Sequence, residues 1–283
     1  MSATSLSRQA EETRPAGGSR AGAIGALARR DWRVTRSYRT ALVSDLLFGF
    51  LNLVTYYYIS KTVKPGGGTN LDGAPTYFAF AAVGIALTVV LQASVLGLSR
   101  RLREEQLTGT LEALLAQPIS APELAAGVAG FPFIFAVTRA FLYLLLAALL
   151  LGLSFAHCNW VGLVISFMVA GVAFGGLGIA LAAAVLVFKR AEAVGALGTF
   201  GLALVGGAFF ARTVLPAWLR PVSDVVPTQF AFTAVRHSLF GGHGWIGPLL
   251  ALAGVGAITI AVALMLFDGA LRYTVRRGTL NQY

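Results

Sequence analysis

Six runs of about twenty apolar residues, near 41–60, 76–98, 127–152, 161–188, 193–211 and 247–268, constrain this chain more than any other feature. A helix needs about 20 such residues to cross a bilayer core of about 30 Å. The pattern therefore predicts an all-α polytopic membrane protein with six transmembrane helices. Composition points the same way. Only 12% of residues are charged and 57% are hydrophobic, against about 25% charged in soluble domains. So little polar surface could not cover a soluble globule of this length.

The basic residues set the orientation. With the N-terminus in the cytosol, 16 of the 22 Lys and Arg residues fall on cytosolic pieces. Lys61, Lys64, Arg212, Arg220 and Arg236 fall outside, and Arg139 lies within a span. The positive-inside rule then places both termini in the cytosol. The same distribution accounts for the net charge of +10 without a nucleic-acid partner. Residues 1–23 read as a disordered cytosolic tail, 24–277 as a single transmembrane domain, and 278–283 as a second cytosolic tail.

Two segments outside the spans have helical character. In Ile24 to Tyr38, Ile24, Leu27, Trp32, Val34 and Tyr38 share one face, and Arg29, Arg30, Arg33 and Arg36 share the other. That is the pattern of an interfacial amphipathic helix on the inner leaflet. Asp31 breaks the apolar face. Between spans five and six, Pro216, Pro221 and Pro227 divide the chain into short pieces, and Ala231, Phe232, Val235 and Leu239 form a helical stripe. The stretch is too short to span and too apolar for a free loop, so re-entrant outer helices are expected.

Several chemistries are missing from the sequence. None of the three lysines follows a glycine, so the chain has no P-loop with which to bind ATP. His157, His237 and His243 lack the HExxH pattern and paired carboxylates of a zinc site. Gly152 to Ala156 lacks the final glycine of a nucleophile elbow. The single cysteine, Cys158, has no partner for an internal disulfide. No catalytic or metal-binding residue is expected.

Ionisable groups inside spans are costly and need partners. Asp45 lies about one turn into span one, and Arg139 about a third of the way into span three from the same side. They are expected either to pair within the inner leaflet or to snorkel separately to the headgroups. Gly171 and Gly175, and the small residues of span five, predict close helix packing. Asn52, Tyr56, Gln92 and Ser94 give spans one and two some polarity, either as helix–helix hydrogen bonds or as a possible pore lining.

The segment from Glu104 to Ser120 is unusual for a chain so short of charge. It continues span two as a charged helix, breaks at Thr108-Gly109, forms a short helix with Leu111, Leu114 and Leu115 on one face, and stops at Pro118. Ser120 to Glu123 is a capping box that opens span three. A helix this short is marginal alone, so its leucines need a partner surface.

Here the chain resembles the permease subunit of type-2 ATP-binding-cassette (ABC) exporters. The resemblance rests on Glu105, the Gly109-Thr110-Leu111-Glu112 core, Leu114-Leu115, Pro118 and Ser120. A second region adds Gly206, Gly207, Phe209, Phe210, Leu215, Pro216, Trp218, Leu219, Pro227, Arg236, Leu239, Gly241 and Gly242. Ala211 stands where such permeases often carry a proline. The resemblance implies two paired permeases, most simply a homodimer in the plasma membrane, with two copies of a cytosolic ABC ATPase that carries the ATP and Mg. No cofactor would sit on this chain. It implies that Glu105, Gly109, Thr110, Leu111, Glu112, Leu114 and Leu115 form a cytosolic coupling helix docked on the ATPase, beside the interfacial helix. Outward transport of an amphiphilic drug, lipid or lipid-linked glycan is implied as well. Two rival readings are an ion-coupled secondary carrier, which would want buried carboxylates and internal repeats, and a non-transporting membrane scaffold.

Overall fold

The computed structural model describes residues 39–62, 71–108, 121–187, 191–241 and 244–277. The chain divides into two units, Met1–Arg39 and Thr40–Tyr283, and the packing described here lies within the second. The two expected tails, the expected interfacial helix with Arg29, Arg30, Trp32, Arg33 and Arg36, and the segment 109–120 lie outside the described residues.

The elements are α1 (Arg39–Thr62), α2 (Tyr77–Thr108), α3 (Ala121–Leu151), α4 (Trp160–Val187), α5 (Ala191–Val205), a 3₁₀ turn (Arg212–Val214), α6 (Arg220–Ser223), α7 (Pro227–Arg236), a π turn (His237–Gly241) and α8 (Ile246–Arg277). No strand occurs among the described residues. Four helices are long and apolar enough to cross a membrane, through Tyr77–Gly97, Phe133–Leu151, Trp160–Val185 and Ile246–Ala270. α1 has the length, at 24 residues, but Asp45, Asn52 and the run Tyr56-Tyr57-Tyr58 make it less apolar than those four. α5 is shorter than its apolar pattern, which continues to residue 211. It ends at Val205 because Gly207 takes φ +84, a left-handed conformation that breaks a helix.

The prolines divide the stretch after α5 into the pieces their chemistry favours. α6 carries Pro221 in its first turn, and α7 begins at Pro227. Proline is tolerated there because the first helical N–H groups have no intrahelical acceptor.

α2 is the interior helix, with 78% of its spanning stretch buried, whereas the corresponding value for α8 is 17%. Phe80, Leu87 and Leu91 of α2 meet Leu144 of α3, Phe167 and Phe174 of α4 and Phe232 of α7 in one fully buried core. In hydrocarbon, burial of apolar surface drives helix association weakly, so close packing has to hold the bundle. α4 achieves it on two sides. A β-carbon on Gly178 would collide with the Ser94 carbonyl of α2, and one on Gly256 of α8 would lie 2.7 Å from Ala173 Cβ. Of the expected pair Gly171 and Gly175, the first faces the Phe133 ring of α3 and the second has no neighbour within 4 Å of its β position.

Candidate functional site

Two arginines are enclosed by helices, Arg139 on α3 and Arg236 on α7. Asp45 lies in the second turn of α1, and Arg139 lies midway along α3. Arg139 Nη1 donates to Asp45 Oδ2 at 2.5 Å. One turn further along α3, the Tyr143 hydroxyl donates to the Asp45 backbone carbonyl at 2.9 Å. Gly49 makes this approach possible, since a β-carbon there would strike the Tyr143 ring. The Arg139 side chain is 19% exposed and that of Asp45 is 60% exposed. Two elements that share little backbone contact are thus pinned by side-chain tips. The structure brings Asp45 and Arg139 together.

It does not bring the four polar residues of spans one and two onto a single wall. Gln92 is exposed while Ser94 is 5% exposed, because two residues on a helix point about 200° apart. Asn52 Oδ1 and Ser94 Oγ are buried with no hydrogen-bond partner among the described residues. Tyr56 stacks on Phe209, with ring centroids 5.4 Å apart, and lies 6.3 Å from the Tyr77 ring. Tyr56 therefore contributes to the seating of α1 on the turn after α5.

That turn belongs to a compact cap built from α6, α7 and the loops around them. Thr228, in the first turn of α7, donates to the Leu202 carbonyl at 2.9 Å, and Ser223 of α6 donates to the Val205 carbonyl at 2.8 Å. The Tyr77 hydroxyl donates to the Phe209 carbonyl at 3.1 Å. On the far side, the Asn159 amide donates to the Ser238 carbonyl at 2.8 Å, so the loop between α3 and α4 is tied to the π turn. The stripe Ala231, Phe232, Val235 and Leu239 is fully buried. The outward side of the cap carries exposed Phe210, Val214, Trp218, Val222 and Val225. Arg212 pairs with Asp224 there, and Arg220 donates to the carbonyls of Thr213 and Leu215 at 3.0 Å each.

Arg236, the last residue of α7, is the centre of this region. Its side chain is 1% exposed. Nη2 donates to the carbonyls of Gly207 at 2.7 Å, Phe80 at 3.2 Å and Ala208 at 3.3 Å, and Nη1 donates to Asp72 Oδ2 at 3.2 Å. The guanidinium lies 3.4 Å over the Phe80 ring and 5.5 Å from that of Phe232. Burial pulls its pKa down to about 10, partly offset by the Asp72 carboxylate, so it stays charged at neutral pH. A buried cation with these acceptors and a ring beneath it is the arrangement a guanidinium tolerates and an ammonium does not.

Sequence reasoning counted Arg236 among the outer charges and among the residues of the family resemblance, and gave it no role of its own. A signal was available. Arg236 is four residues after Phe232, which puts it only about 40° away on the helix and inside the apolar stripe. Of the residues expected to couple to a partner, Glu105 lies in the last turn of α2. Gly109, Thr110, Leu111, Glu112, Leu114 and Leu115 lie outside the described residues. Among the described residues no group of three His, Cys, Asp or Glu could hold a metal ion.

Long apolar helices and polar joints between them define a multi-pass helical membrane protein. Residues 22–240 match the family described as ABC-2 type transporter, and the chain belongs to that family. It is therefore the membrane component of an ABC transporter, a class of subunit that is generally non-catalytic and implies an ABC ATPase as partner. No curated protein matches the sequence significantly.

Proposed function

We propose that this chain is the membrane-spanning permease subunit of an ATP-driven exporter, coupled to a separate cytosolic ATPase. The observation that carries this reading beyond family membership is the length of α2. It runs without a break from Tyr77 to Thr108, 32 residues, while its apolar stretch ends at Gly97. At about 1.5 Å per residue, the remaining turns extend about 16 Å past the apolar part. They carry Arg100, Arg101, Arg103, Glu104 and Glu105. Thr110, Leu111, Glu112, Leu114 and Leu115, which follow this charged end in the sequence, are the residues that would dock on the ATPase.

In this reading α1 and α5 complete a set of six spans, both termini are cytosolic, and the cap of α6 and α7 lies on the outer side. The plasma membrane is the setting. Two copies of the chain pair, each resting on one ATPase that carries the ATP and Mg. Exposed apolar residues on α1 and α5, namely Val43, Leu47, Phe48 and Leu51 of α1 and Leu197 and Phe200 of α5, would supply a surface for that pairing. The scarcity of charge along the spans favours an amphiphilic substrate, such as a drug, lipid or lipid-linked glycan, moving outward.

The test is the pair Leu111→Asp with Leu115→Asp. Transport and ATPase copurification should both be lost while membrane insertion and expression stay unchanged. Normal transport by the double variant, or by a chain that copurifies with no ATPase, would sink the proposal.

A further inference from the structure

The permease reading gives Arg236 no role, yet it is the most heavily liganded side chain described. We propose that Arg236 is a positioning residue for the transport path. It clamps the loop at Asp72, the first turn of α2, the turn after α5 and α7 into one rigid block, and Asp72 is the contact through which that block is released. The word path rests on the permease reading; the clamp itself does not.

The contacts come from four separate parts of the chain. Phe80 belongs to α2, Gly207 and Ala208 follow α5, Asp72 precedes α2, and Arg236 ends α7. Three of the acceptors are backbone carbonyls of buried residues. Such groups cannot turn away from the guanidinium without moving their helices, and water does not replace it there. A β-carbon on Gly84 would collide with the Ala208 carbonyl, so the turn after α5 also lies directly against the α2 backbone. Gly207 holds its carbonyl in place through its φ of +84. The cation also sits at the C-terminal ends of α5 and α7, where helix dipoles favour positive charge.

Asp72 differs from the other acceptors. It is a side chain, 31% exposed, on a tight turn where it takes φ +51 and Gly73 takes φ +80. Its carboxylate can rotate towards water at small cost, while the carbonyls cannot. Opening at Asp72 removes the one charged acceptor, so the carbonyls alone hold the guanidinium and the seat of α7 loosens. Losing Arg236 itself would unseat α7 from all of them.

The molecule carries its own reporter. Cys158 is the sole cysteine, half-buried against the core. The next residue, Asn159, is hydrogen-bonded to Ser238, two positions beyond Arg236. Unseating α7 should therefore expose the Cys158 thiol. The experiment follows maleimide labelling of Cys158 in the full-length chain in nanodiscs, alongside thermal unfolding.

Asp72→Asn is nearly isosteric, and asparagine tolerates the left-handed conformation. It should label several-fold faster than the parent, and Arg236→Gln roughly tenfold faster, as expected when charge-assisted hydrogen bonds that restrain a local opening are lost. Adding Asp72→Asn to Arg236→Gln should bring no further acceleration. If Arg236→Gln does not fold, Phe80→Leu replaces it, removing only the ring face, and should also accelerate labelling. Gly178→Ala, which loosens the distant contact between α2 and α4, should lower the melting temperature without speeding labelling.

The clamp is overturned if Asp72→Asn labels at the parent rate. It is also overturned if the effects of Asp72→Asn and Arg236→Gln simply multiply, or if Gly178→Ala speeds labelling equally. With the ATPase present, Asp72→Asn should lower substrate moved per ATP hydrolysed. Failure of that last result with the labelling pattern intact counts against the permease reading and leaves the clamp standing.

Discussion

Arg139 and Arg236 are both enclosed by helices and both paired with an aspartate, but the regions they serve are built differently. Arg139 meets one carboxylate on α1, and the Asp45 side chain it holds is 60% exposed. Arg236 meets a carboxylate, three carbonyls and two rings, and is 1% exposed. The surroundings follow the same division. α1 is attached through side-chain tips: Asp45 to Arg139, Ser60 to the Phe78 amide at 3.1 Å, and Tyr57 edge-on to Phe78. α2, α4, α8 and the cap approach one another backbone to backbone, through Gly84, Gly178 and Gly256. Tip contacts can exchange partners with water, lipid or a second chain, whereas a carbonyl against a glycine can only separate. The difference assigns rigidity to the α2-centred block and leaves α1 the more adaptable helix.

Five substitutions would break or sharpen this contrast. Arg236→Met should have the largest effect, about 3–5 kcal/mol, because it leaves three buried carbonyls without their donor; thermal unfolding in detergent would read it. A loss below that of the Arg139 variants would erase the contrast. Gly178→Leu should cost about 1–3 kcal/mol by forcing α4 away from α2, measured the same way. Next comes the pair on α1. Asp45→Asn and Arg139→Gln should each cost about 1–2 kcal/mol, the scale of a polar contact between helices in a bilayer. The double variant should cost less than the sum of the singles, and a double-mutant cycle that adds without coupling would show that the contact has no energetic role. Ser60→Ala should be smallest, about 0.5–1 kcal/mol, for one hydrogen bond to an amide at the start of α2. Hydrogen exchange at Phe78 is the sensitive readout.

Much of the architecture was legible in residue order. Apolar runs predict helices wherever a long stretch lacks charge, and they match the apolar parts of α2, α4 and α8 within a few residues, while α2 and α8 run on to Thr108 and Arg277 and α3 starts earlier, at Ala121. The stripe at Ala231, Phe232, Val235 and Leu239 marks a face that is fully buried. The end of α5 was not legible, because the apolar pattern continues past Gly206-Gly207 and only the φ of Gly207 stops the helix. The separation of Gln92 from Ser94 could have been read from their spacing, which forbids a shared wall. The place of Arg236 in the stripe was readable, but its partners were hidden for a deeper reason. Its acceptors at Phe80, Gly207 and Ala208 are backbone carbonyls, which every residue possesses and no side chain advertises. A charge that pairs with carboxylates can be guessed from sequence, while one that pairs with the main chain appears only when the turns are in place.

The uneven burial of the spans has a consequence for how this protein could vary. α8 has Ile258, Val262, Met265 and Leu266 exposed along its length, and most apolar replacements there would change nothing but the lipid contact. α2 offers no such latitude, with its run from Phe78 to Leu87 buried without interruption. In a library of every single substitution, this exposed face of α8 should record only the hydropathy of its replacements, and α2 should record their volume.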